Sequence, residues 1–176
     1  MILTISGVAG SGKSTVAKLL AKKLKYKHFS IGDFMREIAK ERKLTLLELS
    51  KLAEKDKNID KALDKKQIEL GKKEDNFVID SRLGFHFIPK SIKIFLDVDL
   101  NEAANRILKE KRQHEQYTDI QESIEKIKTR INSEDKRYRG YYNIDYHNKD
   151  NYDIIIDTTH LKPEDAVEKI LKEINR

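Results

Sequence analysis

The chain has 176 residues, enough for one domain with a real core, and it contains no cysteine, which excludes a disulfide framework and any cysteine-based metal site. Apolar and charged residues each make up 38% of it, so the surface must be densely ionic. No apolar run approaches the about 20 residues of a membrane helix, and no membrane association is expected. The formal charge of +6 comes from lysines scattered among glutamates and aspartates, the pattern of a solvated face. With no basic tail and no Lys/Arg block interleaved with aromatics, direct nucleic-acid binding is not expected. A strand starting at the second residue leaves no room for a signal peptide, so a cytoplasmic protein is expected; a monomer is expected as well.

In chain order, Ile2 to Ser6 is a short apolar, β-branched run that reads as a buried strand. Gly7-Val8-Ala9-Gly10-Ser11-Gly12-Lys13-Ser14 follows, a full G-x-x-x-x-G-K-S phosphate-binding loop, with Thr15 after it. Val16 to Leu24 then has helical apolar spacing. Strand, glycine loop and helix together turn backbone N–H groups and a helix N-terminus towards a polyphosphate. The pattern predicts a nucleotide held by residues 7–15, with Lys13 on the β- and γ-phosphates, the Ser14 hydroxyl on Mg²⁺ and Thr15 at the α-phosphate. A second strand is expected at Tyr26 to Phe29, and a helix opening at Ser30 or Gly32. Thr45-Leu46-Leu47-Glu48 is a capping box and starts another helix. A third is expected from Ile59 to Leu70, ending at Gly71. Three helices without an intervening strand form an insertion at about residues 30–75.

Phe77 to Asp80 and Ile92 to Val98 read as strands, with a helix from Leu100 to about Lys111. The polar stretch Gln113 to Asp119 is either a lid tip or an ordinary loop. A long charged helix is expected from Ile120 to Arg139, a last strand from Tyr152 to Asp157 and a last helix from Pro163 to Ile174. The alternation predicts an α/β fold with a five-stranded parallel sheet covered on both faces, in a single domain whose core spans residues 1–29, 76–112 and 150–176. Ligands gather at the carboxyl ends of such strands, where Gly7, Ser30, Asp80 and Asp157 stand.

A phosphate loop alone does not separate kinases from GTPases or motor ATPases. Neither Asp97-Val98-Asp99-Leu100 nor Asp157-Thr158-Thr159-His160 fits the guanine-reading Asn-Lys-x-Asp of GTPases. Ile79-Asp80-Ser81 carries one acid rather than the acidic pair of a motor ATPase, and Arg82 beside it suits a second phosphate group.

Three segments carry a resemblance. Ser30-Ile31-Gly32-Asp33-Phe34-Met35-Arg36 resembles the S-x-G-D-x-x-R segment of nucleoside monophosphate kinases. Val78-Ile79-Asp80-Ser81-Arg82-Leu83 resembles the Asp/Glu-Gly-Arg segment of cytidylate kinases. Arg130-x-x-x-Glu134-x-x-Arg137-Tyr138, followed by Tyr141-Tyr142-Asn143-Ile144-Asp145, resembles a pattern of the short, archaeal-type cytidylate kinases. The resemblance spans nearly the whole chain, with the motifs in the family's order. It implies a three-layer P-loop kinase with a helical monophosphate-binding insertion and a short lid at about residues 112–120. The implied activity is transfer of the ATP γ-phosphate to CMP or dCMP. Another acceptor (AMP, UMP or a small metabolite) and a nucleotide-binding regulatory ATPase are the alternatives.

Under this resemblance Ser30, Asp33, Arg36, Asp80, Ser81, Arg82 and Glu134 are the substrate-binding candidates, although Asp33 suits a helix cap equally. Lys13, Arg130 and Arg137 are the catalytic ones. Ser14 and Asp80 are the metal candidates, with Asp80 alternatively an acceptor contact. Arg130, Glu134 and Arg137 are spaced i, i+4, i+7, which puts them on one helix face. Arginine suits such work, because its planar fork binds phosphate in bidentate fashion and keeps its proton. Arg106 and Arg112 flank the expected lid and fit a solvated face or a role in transfer. Ser81 stands where the family usually has glycine, and Leu83 to Phe87 replaces the usual following sequence. Ser81, Arg82 and Glu134 are the candidates for pairing with the edge of cytosine.

Overall fold

The structure, a computed structural model, describes residues 1–109 and 119–175. Five strands, β1 (Ile2–Gly7), β2 (Lys27–Ser30), β3 (Phe77–Asp80), β4 (Ile92–Asp97) and β5 (Ile154–Asp157), form a parallel sheet in the order β2-β3-β1-β4-β5. The order reverses around β1, so a crevice opens above its carboxyl end, and the phosphate loop begins there. Register aligns Ile5 with Asp80, Ser30 with Asp80, and Asp97 with Asp157, which brings the expected strand-end residues to one edge of the sheet.

Helices cover both faces. α1 (Lys13–Leu24) and α8 (Pro163–Ile174) pack on one face through Val16, Leu20, Val167 and Ile170 against Leu3, Ile5, Ile94 and Ile156. On the other, α2 (Ile31–Glu41), α4 (Lys57–Lys73) and a short α5 (Gly84–Phe87) close over Ile2, Phe77 and Ile79. α6 (Leu100–Lys109) and α7 (Ile120–Tyr142) pack on each other through Ala103, Ala104, Ile107, Ile124 and Ile127. Leu3, Ile5, Phe77, Ile79, Ile94 and Leu96 are fully buried, as strands covered on both faces require.

α2, α3 (Leu46–Ala53) and α4 follow one another between β2 and β3, as the missing strand signal predicts. The Thr45–Glu48 capping box is formed in both directions. Besides the short α5, which no pattern announced, α4 and α7 depart from expectation. α4 does not stop at Gly71 but continues to Lys73. Gly71 serves packing, since a Cβ there would lie 3.1 Å from Cγ2 of Ile88. The turn is made later by Asn76, at φ 53°. α7 runs on past Arg139 to Tyr142, where Asn143 takes the left-handed cap at φ 57°. Of the expected lid tip at Gln113 to Asp119, positions 113–118 lie outside the described residues, as does Arg112. No helix among the described residues is long and apolar enough to cross a membrane.

Candidate active site

The phosphate loop is shaped by close backbone approach. Gly7 has φ 135°, and a Cβ there would sit 2.2 Å from the carbonyl oxygen of Leu96; Gly10 has φ 79°, with its Cβ position 2.7 Å from the Ala103 carbonyl. Only glycine fits either place. Gly12 is the N-cap of α1, with no side-chain cap and no acid in the first turn, so the helix N-terminus keeps its donors for an anion. Lys13 Nζ donates to the carbonyl of Val8 at 2.7 Å, folded back over the loop. Burial and the nearby Arg82 cation push its pKa well down. Ser11 is buried, its hydroxyl donating to Val8 at 2.9 Å and its carbonyl accepting from Thr158, so its side chain holds the loop together. Ala9 packs into the α6–α7 cluster. Thr15 is exposed at the mouth.

Asp80 is 3% exposed at the end of β3. Ser30 donates to its Oδ1 at 2.9 Å and also caps α2 by accepting from the Asp33 amide. His28 Nε2 lies 3.5 Å from Oδ2, too far for a good hydrogen bond, and that oxygen has no other partner among the described residues. Burial would raise this carboxyl, but His28, Ser30, the Lys13 charge and the Ser14 hydroxyl together hold it below the ordinary range. An ionised carboxylate with a spare buried oxygen therefore stands beside Ser14.

A cavity runs from Lys13, Ser14 and Thr15 to the insertion helices and α7. Arg36, Arg82, Arg130 and Arg137 all line it. Arg36 reaches it from α2 and pairs with Asp33 at 2.5 Å, so Asp33 here orients an arginine. Glu134 is 4% exposed and organises the other cations. It accepts from Arg82 Nε at 2.8 Å, from Arg130 Nε at 3.2 Å and from the Tyr146 hydroxyl at 3.0 Å. Burial opposes its ionisation, yet Arg82 and Arg130 hold its pKa far down, and the same pairing raises that of Arg82. Arg137, also buried, is gripped by Asp60 of α4 at 2.5 Å. The i, i+4, i+7 face of α7 thus points into the cavity, as its spacing predicts.

The three residues expected at the edge of the base all line the cavity and are held by protein groups. Ser81 donates to Gln67 at 2.5 Å, while Arg82 and Glu134 hold each other. Another wall of the cavity is α4, with Asp60, Leu63, Asp64 and Gln67. Their i, i+3, i+4, i+7 spacing was the available signal, but in sequence it looks like any amphipathic helix. A second cavity opens on the other side of the loop, lined by Gly12, Thr15, Arg106, Thr158, Lys162 and Pro163, among others. Arg106 is fixed there by Glu102 at 2.8 Å and by the Thr158 carbonyl at 2.6 Å, which makes it part of a site wall rather than a solvated face.

Comparison with known proteins agrees with this arrangement. The model of the cytidylate kinase-like family matches residues 2–160. A cytidylate kinase of Natronomonas pharaonis is 42% identical over 166 residues, covering 93% of this chain and 84% of that protein. A cytidylate kinase of Methanobrevibacter smithii is 38% identical over 171 residues, covering 97% and 96% of the two chains. Among solved structures, an uncharacterised protein from Eubacterium ventriosum superposes with a TM-score of 0.75 at 20% identity, covering 99% of this chain and 98% of its own. Shikimate kinase from Bacteroides thetaiotaomicron gives 0.69 at 15% identity, covering 100% and 99%. These two share the fold, a P-loop kinase architecture. The glycine loop, the four-arginine cavity and a match along most of its length agree: the chain belongs to the cytidylate kinase-like family.

Proposed function

We propose that this protein transfers the γ-phosphate of Mg·ATP to CMP or dCMP, giving the diphosphate and ADP. One observation carries the reading: a single cavity leads from the phosphate loop into a cluster of arginines, so two phosphorylated ligands can meet at Lys13. ATP occupies the loop, with its base in the cavity beside Arg106 and Pro163. The acceptor monophosphate lies among Arg36, Arg82, Arg130 and Arg137.

Phosphoryl transfer asks chiefly for positioning and charge neutralisation. The nucleophile is an acceptor phosphate oxygen, already anionic near neutral pH, so no protein base is needed. Glu134 and Asp60 hold three of the arginines in place before the substrates arrive, which lowers the reorganisation required during transfer. Ser14 and the spare oxygen of Asp80 fit a hard divalent cation, Asp80 directly or through water. Bound Mg²⁺ would offset charge on the transferring phosphates.

The test is an ADP-release assay with Mg·ATP and CMP, dCMP, UMP, AMP, GMP or TMP, beside a no-acceptor control. Turnover that depends on CMP or dCMP is the expected outcome. ATP hydrolysis that no monophosphate accelerates would overturn the reading.

A further inference from the structure

Asp60, Asp64 and Gln67 form a polar stripe on α4 that phosphate binding does not explain, since carboxylates repel phosphate. Each has its protein partners on one side only. The Tyr142 hydroxyl donates to Oδ2 of Asp64, and among the described residues Oδ1 accepts no hydrogen bond. Gln67 accepts from Ser81 through Oε1, which leaves its amide N–H₂ for a ligand. Asp60 and Arg137 are 4% and 3% exposed, yet among the described residues Oδ2 of Asp60 and Nε of Arg137 are buried without a partner. Burying a polar atom without a partner is unfavourable, so unpaired atoms gathered on a cavity wall point to a ligand that pairs with them.

We propose that this face of α4, with Asp64 as its central reader, selects an acceptor whose base carries an exocyclic amine, as cytosine does, over one with a carbonyl at that place, as uracil has. The inference rests on the acceptor reading of the cavity. An ionised carboxylate can only accept, and an amine donates to it. A carbonyl also only accepts, so its lone pairs would face those of Asp64 with no hydrogen between them. The Gln67 amide suits the ring carbonyl that both pyrimidines share, which anchors the base without discriminating. Tyr142 fixes the carboxylate from behind.

The charge state follows the surroundings. Burial pushes the Asp64 carboxyl up to about 6; Asp60 adds to this, while Tyr142, Lys57 and Arg137 oppose it. Arg36 of α2 shares the cavity, and His86 of α5 lies against the Tyr142 ring. Above that pH the acceptor-only form dominates. Below it, the carboxyl gains a hydrogen that can serve a carbonyl, and selectivity narrows.

The experiment is kcat/KM for CMP and for UMP at fixed Mg·ATP, in wild type and in Asp64→Asn. Asparagine keeps an acceptor for Tyr142 and adds a donor that suits uracil. The CMP:UMP ratio should fall about tenfold or more, mainly through acceptor KM, with the KM for ATP unchanged. In wild type the ratio should also shrink as pH drops from about 8 to about 5, and in the variant it should stay flat. An unchanged ratio in a variant that folds, with a melting temperature at or above that of wild type, overturns the inference. If Asp64→Asn does not fold, the wild-type pH profile decides: a CMP:UMP ratio that is the same at about pH 8 and about pH 5 overturns the inference as well. Wild type with no turnover dependent on either nucleotide would instead overturn the proposed function.

Discussion

At the scale of single residues, the four cavity arginines differ in what their removal tests. Arg82 and Arg137 are buried partners of acids, so truncating either leaves an uncompensated carboxylate and confounds activity with folding. Arg36 is cleaner: its side chain is 27% exposed and its partner Asp33 is 47% exposed. Arg36→Ala should raise acceptor KM by roughly 10- to 100-fold, the worth of a charge-assisted hydrogen bond, and leave ATP binding near normal. Unaltered steady-state kinetics would remove Arg36 from the acceptor site. Asp64 allows a test of opposite sign in stability. Its ordinary value is 3.8 and its folded value about 6, so the folded chain holds the proton more tightly across that window. Stability therefore falls as pH rises from about 4 to about 6, and the cost persists above. Asp64→Asn removes this cost. It should melt above wild type at about pH 8 and lose that advantage by about pH 4. A residue kept for folding alone would show the reverse, a variant that melts lower at the higher pH.

At the scale of elements, α7 ties the insertion helices to the sheet. Its Tyr141 hydroxyl donates to the carbonyls of Ala53 and Glu54 at the end of α3, and Lys136 pairs with Glu54. Arg137 and Tyr142 hold α4 through Asp60 and Asp64. The arginine face and the insertion wall therefore share one support. Tyr141→Phe should cost only about 0.5–1.5 kcal/mol of stability, and it should raise acceptor KM more than ATP KM. Equal changes in both, read from initial-rate kinetics, would mean that α7 supports the nucleotide loop and the insertion alike.

At the scale of the whole molecule, two cavities flank one phosphate loop, and Gly12 and Thr15 belong to both walls. A ligand joining adenosine to cytidine through a polyphosphate should fill both at once. It should inhibit competitively against ATP and against CMP, and bind more tightly than either substrate, because the second contact is intramolecular. Competition with ATP alone would place the acceptor elsewhere.

The sequence by itself determined the local structures whose cause is local. Gly7 to Ser14, the Thr45–Glu48 box and Pro163 at the first turn of α8 each act through their own neighbours, and each stands where the pattern places it. So do the central strands β1, β3 and β4, where burial on both faces leaves an apolar run, while the edge strands β2 and β5 keep Lys27 and Ile155 exposed. Tertiary structure alone decided what distant residues do to one another. Gly71 reads as a helix stop, but packing against Ile88 makes it an interior contact. Glu134 reads in sequence only as one member of a helix face; that Arg82 and Tyr146 reach it from distant segments is decided by the fold. Asp60, Asp64 and Gln67 carry a periodicity that only says helix; that their face borders a cavity is fixed by how α4 lies against α7 and the end of β3. Spacing along a chain encodes direction around one element's axis, whereas a site is made by the axes of several.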